Sequence, residues 1–289
     1  MEKIYTALGL MSGTSMDGVD ASIIQSDGES KYKVISNKYF EYKNELYSDL
    51  INFRDQIGSS KDLKKFENEL KLLEKKITLF QAESANSLSN DTEISIDLIS
   101  FHGQTVFHNA EEKISVQLGD GKLLSKLTKK KVVYNFRQND LKNGGEGAPL
   151  TPIFHQILER KFSLKPVSFF NIGGIINRTT VGNDGKLSAA DCGPGMCLID
   201  KWIRKNSKNK YDKNGDIAKH GEVNQKVLNK YLDIFRSSNF DKKSYDTSDF
   251  DILLVKDLSL EDGAATLTSY TANLFKTYFD NNKKLKIKE

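Results

Sequence analysis

Small residues, hydroxyls and carboxylates of the kinds that do chemistry gather in four stretches of the chain. The first is Leu8-Gly-Leu-Met-Ser-Gly-Thr-Ser-Met-Asp-Gly-Val-Asp20. Apolar runs flank a turn holding Gly13, Thr14, Ser15, Asp17 and Gly18. Small residues let backbone N–H groups close on an anion, and the hydroxyls add donors. A carboxylate at the tip, Asp17, suits Mg²⁺ held through water against phosphate oxygens. The same composition also makes an ordinary hairpin turn, and neither GxxxxGK[ST] nor a strand–GxGxxG–helix pattern occurs. The second stretch, Phe101-His-Gly-Gln-Thr105, is expected to end a strand, where polar ligand contacts collect in α/β sheets. His102 and His108 invite a metal reading, but no third ligand of the usual kind lies near, and hydrogen-bonded histidines are the plainer reading.

The third stretch is Asn135-Phe-Arg-Gln-Asn-Asp140 with the glycine-rich loop Gly144-Gly-Glu-Gly-Ala-Pro149. Arg137 and Asp140 can fix a sugar's hydroxyls or carboxylate, because arginine matches carboxylates bidentately. An internal Arg–Asp ion pair is the rival reading. The fourth, Ala190-Asp-Cys-Gly-Pro-Gly195, ends a strand with a carboxylate and turns into a helix. Asp191 is expected to sit at the helix N-terminus, as a general base acting on water or a sugar hydroxyl or as a plain N-cap. Cys192 and Cys197 read as buried thiols rather than nucleophiles, with no adjoining His and no zinc partners.

The elements that must position these residues follow from hydropathy. Residues 4–10, Val19–Gln25 and Lys33–Tyr42 read as three strands of a hairpin-led meander. Leu63, Phe66, Leu70, Leu73, Ile77 and Phe80 recur at helical spacing and predict one long helix over 61–89. Strands are expected near Ile96–Phe101, Ile114–Leu118 and Val132–Phe136, with a helix near Lys122–Lys129. A helix over Thr151–Lys161 is followed by a strand, tight turn and strand across Val167–Val181, pivoting on Gly173 and Gly174. A short strand at 187–191, a helix over Gly195–Lys205, a polar loop at 206–216 and a last helix over 261–280 complete the pattern. Leu285 and Ile287 alternate like a further strand. Strands alternating with helices argue an α/β class. Two hairpin starts suggest two halves, and the boundary is placed near residue 136, giving 1–136 and 137–289.

Composition removes several classes. The chain has 289 residues, 38% hydrophobic, with 16 Phe and 11 Tyr, enough for real cores. Its net charge of +4 is too weak to argue for nucleic acid or an anionic membrane. Two cysteines exclude a disulfide framework. No run of about 18 apolar residues and no signal peptide is seen, so the expectation is a cytoplasmic protein without a membrane span.

In their order and spacing these stretches resemble the anhydro-N-acetylmuramic acid kinases. Carrying the resemblance are Gly9 to Asp20, His102-Gly-Gln-Thr105, Asn135-Phe-Arg with Asp140, Gly144-Gly-Glu-Gly-Ala-Pro-Leu150, Asn171-Ile-Gly-Gly-Ile-Ile-Asn177 and Asp191-Cys-Gly-Pro-Gly195. It runs from about residue 4 to the end. The resemblance implies the two-domain, ribonuclease H-like fold of sugar kinases, actin and heat-shock ATPases, with ATP and sugar in the cleft between domains. It implies ATP phosphates on Gly13, Thr14, Ser15, Met16, Asp17, Gly18, Val19 and Asp20, with Gly173 and Gly174 as a second phosphate hairpin and Mg²⁺ at Asp17. It implies sugar contacts at Thr105, Arg137 and Asp140, and makes Asp191 the catalytic base. The implied reaction opens a 1,6-anhydro bridge with water and phosphorylates O6, yielding N-acetylmuramate 6-phosphate for cell-wall recycling. Relatives of this kind are homodimers.

The sequence departs from the family pattern at Glu146, where Gln is usual, and at Thr247, where many relatives carry Arg. Family members also continue past Lys284–Glu289 into an adenosine loop and a later sugar-contacting Glu. The expectation is therefore a C-terminally shortened member with an incomplete second domain. Its alternative is a homologue that binds sugar or nucleotide without turnover.

Overall fold

The computed structural model describes residues 3–237 and 244–281. The chain forms two compact units, Met1–Phe162 and Ser163–Glu289. Each has its own hydrophobic core. The core of the first includes Leu8, Val19, Ile23, Leu50, Ile77, Leu88, Ile99 and Leu124. That of the second includes Leu198, Trp202, Ile203, Leu228, Tyr231, Phe235, Leu267 and Leu274.

The first unit is built on a six-stranded sheet of β1 (Tyr5–Ser12), β2 (Gly18–Ser26), β3 (Tyr32–Glu41), β4 (Leu98–Asn109), β5 (Ile114–Leu118) and β6 (Lys131–Tyr134). Its order is β3-β2-β1-β4-β5, with β6 also pairing with β4. The meander β1–β2–β3 is antiparallel, as expected, while β1 and β4 run parallel. A parallel pair needs a crossover, and α1 (Asn44–Gln56), α2 (Ser60–Lys65) and α3 (Glu67–Thr92) supply it. The single helix expected over 61–89 is thus two helices, broken at Phe66 (φ −105°, ψ 28°). Ser59 and Asp62 form a capping box that starts α2 as a separate short helix. On α3, Leu73, Ile77, Ala85 and Leu88 are buried while the intervening charges stay out.

The helix α4 (Gly121–Thr128) begins where Asp120 Oδ1 accepts from Lys122 N at 2.8 Å and Leu123 N at 3.0 Å, an acidic N-cap. Then α5 (Phe136–Lys142) and α6 (Pro152–Phe162) close the first unit. Leu141 of α5 is fully buried, and Phe154 of α6 meets Tyr32 of β3 edge-on at 5.1 Å. Residues 137–162 therefore pack with the first unit, and the division falls after Phe162 rather than near residue 136.

The second unit holds an antiparallel sheet, β7 (Val167–Ile172), β8 (Ile175–Val181) and β9 (Leu187–Pro194). Three helices accompany it: α7 (Cys197–Asn206), α8 (Gln225–Ser237) and α9 (Leu260–Asn281). The indole N–H of buried Trp202 donates to the Leu260 carbonyl at 2.9 Å, fixing α7 against the start of α9. The strand expected at Leu285 and Ile287 lies outside the described residues. No described helix is long and apolar enough to cross a membrane.

Candidate active site

The β1–β2 connection is held from inside the protein. Gln104 Nε2 donates to the Gly13 carbonyl at 2.8 Å, Arg54 Nη1 to the Thr14 carbonyl at 3.1 Å, and Tyr42 N to the Asp17 carbonyl at 2.8 Å. In a trans peptide the carbonyl and the following N–H point in opposite directions. Drawing the Gly13 and Thr14 carbonyls toward these donors turns the N–H groups of Thr14 and Ser15 the other way. Successive N–H groups presented on one side form an anion-binding concavity. Met16 has a left-handed φ of +57° and a fully buried side chain, so the turn is pinned by a hydrophobic anchor. Val19 is equally buried. Met16 and Val19 can therefore offer a ligand only their backbone.

The carboxylates of the turn are crowded. Ser15 Oγ donates to Asp17 Oδ1 at 2.6 Å. Asp20 is pushed above the ordinary carboxylate range, first by burial and then by the negative charge of Asp17. The Tyr39 hydroxyl is likewise pushed up, first by burial and then by Asp17. Gly18 admits this packing: a Cβ there would lie 2.4 Å from the Phe40 carbonyl oxygen. Beneath the turn, Ser12 Oγ and Tyr42 Oη are 2.9 Å apart, and Gln81 Nε2 donates to Ser12 Oγ at 3.0 Å. Burial raises the Tyr42 hydroxyl to about 12, keeping it a neutral hydrogen-bonding group.

Phe101 to Thr105 do not end a strand. They lie inside β4, which pairs in parallel with β6 up to Phe101 and antiparallel with β5 from Gln104. Gly103 makes the switch with φ +73°, and a Cβ there would lie 2.5 Å from the Leu118 carbonyl oxygen. Polar residues thus sit where the strand changes neighbours. Thr105 Oγ1 accepts from Gln117 Nε2 at 3.2 Å. His108 Nδ1 lies 3.0 Å from Ser115 Oγ. In the structure His102 and His108 both make hydrogen bonds: His102 to the Gly103 carbonyl and Arg137, His108 to Ser115.

Arg137 and Asp140 both grip the glycine-rich loop. Arg137 Nη1 donates to the Gly147 carbonyl at 2.7 Å, and Asp140 Oδ2 accepts from Gly147 N at 2.8 Å. Arg137 Nε donates to His102 Nε2 at 2.9 Å. Burial, and then the charge of Arg137, depress His102 to about 4, so the ring is neutral. Gln104, Arg54 and Tyr42, which shape the Gly13–Asp20 turn, were not singled out from the sequence, and His102, read there as a hydrogen-bonded histidine, meets Arg137. Gln104 and His102 lay in plain view within the second motif, but only strand register brings them to Gly13 and Arg137.

In the second unit, Asp191 is not at a helix N-terminus. The strand β9 continues through Pro194, with Asp191 opposite Asn177 of β8, and α7 begins at Cys197 with Met196 as its N-cap. Asp191 is partly exposed, and its Oδ2 accepts from Tyr245 N at 2.7 Å. The Tyr245 ring rests between Phe235, with ring centroids 6.3 Å apart, and Phe250, at 5.2 Å, which fixes that backbone donor. The expectation of an N-cap fails because the polypeptide stays hydrogen-bonded in the sheet past the carboxylate. Helix α7 is capped from elsewhere: Met196 N donates to the Gly173 carbonyl at 2.9 Å, and Gly195 N to the Gly174 carbonyl at 2.9 Å. The Gly173–Gly174 turn and the start of α7 therefore form one rigid corner. Cys192 and Cys197 are thiols, half-buried rather than fully buried. Burial raises the Cys192 thiol, as befits an inert side chain.

Comparison with known proteins bears on the whole chain. The profile of the family described as anhydro-N-acetylmuramic acid kinase matches residues 5–272. A relative of that name from Pelagibacter ubique is 53% identical over 276 residues, covering 94% of this chain and 74% of the relative. Anhydro-N-acetylmuramic acid kinases from Rhizobium etli and Agrobacterium fabrum are 38% and 39% identical, each over 94% of this chain and 75% and 74% of their own lengths. A profile match from the first strand into the last described helix, together with identity of this extent, places the chain in the anhydro-N-acetylmuramic acid kinase family.

Proposed function

We propose that the chain is an ATP-dependent kinase that opens 1,6-anhydro-N-acetylmuramic acid with water and phosphorylates O6, releasing N-acetylmuramate 6-phosphate and ADP. The first unit supplies the phosphate turn Gly13 to Asp20 and the sugar contacts Thr105, Arg137 and Asp140. The second supplies Asp191 and the Gly173–Gly174 turn. The observation that carries the reading is the inward tie of the Gly13 and Thr14 carbonyls, which leaves the Thr14 and Ser15 N–H groups facing the other way, an arrangement suited to an anion.

Asp191 accepts a proton from water as the water adds to the anomeric carbon. The C1–O6 bond breaks, its electron pair passes to O6, and O6 attacks the γ-phosphorus while the β–γ bridging oxygen leaves with ADP. Positioning and charge stabilisation dominate such a transfer. The donor set at the turn fits Mg²⁺: a hard carboxylate at Asp17 with hydroxyl donors beside it, few protein ligands, as Mg²⁺ bound mainly to phosphates requires. Bound there, Mg²⁺ would neutralise charge on the β- and γ-phosphate oxygens. The product belongs to recycling of cell-wall sugar, and the place for it is the cytoplasm. A homodimer is the assembly we propose.

The test is incubation of the protein with Mg·ATP and the anhydro sugar in ¹⁸O-labelled water. One ADP per phosphorylated sugar is expected, with the label on the anomeric carbon and none in the phosphate. ADP accompanied only by labelled inorganic phosphate would contradict the reading.

A further inference from the structure

Arg137 projects from α5 and meets two acceptors from different elements. Its Nε donates to His102 Nε2 of β4 at 2.9 Å, and its Nη1 donates to the Gly147 carbonyl at 2.7 Å. Two acceptors on different nitrogens of a planar group fix both its position and its plane. The Gly147 acceptor is itself held, since Asp140 takes the N–H of the same residue at 2.8 Å. His102 accepts from arginine only when Nε2 carries no proton. Its Nδ1 lies 2.8 Å from the Gly103 carbonyl, which takes the Nδ1 proton and selects that tautomer. Gly103 in turn sits at the left-handed switch of β4, so its carbonyl direction is set by the sheet.

We propose that His102 is a positioning residue, whose neutral Nε2 holds the Arg137 guanidinium in the plane that receives the sugar. The choice of imidazole has a chemical reason. A carboxylate in the same place would hold the guanidinium equally well but would cancel its charge. A neutral acceptor orients the arginine without adding a negative charge beside it, which suits a sugar bearing a carboxylate. Burial and the facing Arg137 charge keep the ring in its accepting form, with the ring pushed down to about 4. The inference deepens the reading of Arg137 as a sugar contact and rests on it.

The test compares His102→Gln, which keeps an acceptor oxygen, with His102→Leu, which has none, in the full chain. Losing a hydrogen bond to a charged group predicts a rise of about 10- to 100-fold in KM for the anhydro sugar in His102→Leu. KM for Mg·ATP should stay unchanged, and His102→Gln should recover most of the loss. Long-range ¹⁵N–¹H correlations on the wild-type protein without ligands should show a proton on Nδ1 and none on Nε2 at neutral pH. Equal impairment of both variants, or an Nε2–H tautomer, overturns the proposal. Should His102→Leu fail to fold, the tautomer and the His102→Gln kinetics decide it. Absence of any sugar turnover in the wild type would overturn the sugar reading, and the tautomer measurement would still decide whether His102 holds Arg137.

Discussion

A neutral histidine beside an arginine leaves a thermodynamic trace. Burial and then the Arg137 charge push His102 down to about 4 in the folded chain, from 6.5 ordinarily. Between those values the unfolded chain binds the extra proton, so stability is fully present above about 6.5 and is lost as pH falls through 4. The loss is up to about 3 kcal/mol for this one residue. Urea unfolding from pH 7 to 4 should show a shallower decline in His102→Gln, with His155, which burial also lowers, contributing equally to both. Identical pH profiles would contradict a buried neutral ring. At the Gly13–Asp20 turn, Asp20 is raised first by burial and then by Asp17, the residue proposed to hold Mg²⁺. Asp17→Asn should lower Asp20 part of the way, since burial remains, visible in carboxyl ¹³C titration. It should also lower kcat/KM for Mg·ATP by about tenfold or more. Retained Mg²⁺ dependence with unchanged kcat/KM would exclude Asp17 from that role.

At the level of elements, the β1–β2 turn depends on a close approach at Gly18. A Cβ there would meet the Phe40 carbonyl oxygen at 2.4 Å, and backbone cannot step aside as a side-chain tip can. Gly18→Ala should therefore cost about 1–3 kcal/mol, read as a lower urea midpoint at constant slope. An unchanged midpoint would mean the hairpin relaxes freely. Local patterns revealed the elements whose signal is local. The β1–β2–β3 meander, the β7–β8 hairpin and α9 were all legible. Helices α1, α5 and α8 were not read, although Leu46, Leu50, Phe53 and Ile57 carry a helical spacing and Leu228, Tyr231, Leu232 and Phe235 are all buried on α8. Polar and charged neighbours diluted these faces. The motifs pointed to candidate residues, but not to their setting. The partner switch at Gly103 and the run of β9 past Asp191 depend on strand pairing across dozens of residues, which periodicity does not encode.

On the scale of the molecule, each unit carries a separate core. A unit with its own core is expected to fold alone. Residues 1–162 expressed alone should unfold cooperatively by circular dichroism, and a broad, non-cooperative melt would contradict that independence. With phosphate and sugar recognition proposed for the first unit and the proton acceptor for the second, neither unit alone is expected to phosphorylate the anhydro sugar. Asp191 is the most direct point of attack, because Asn keeps an oxygen able to accept from Tyr245 N while removing the basicity and the charge. The decisive measurement is the rate of anhydro-sugar phosphorylation by Asp191→Asn beside the parent chain, with melting temperature as the control for folding. A fall in kcat of about 10²- to 10⁴-fold at unchanged melting temperature is predicted; a variant that turns over at the parental rate would remove Asp191 from the chemistry.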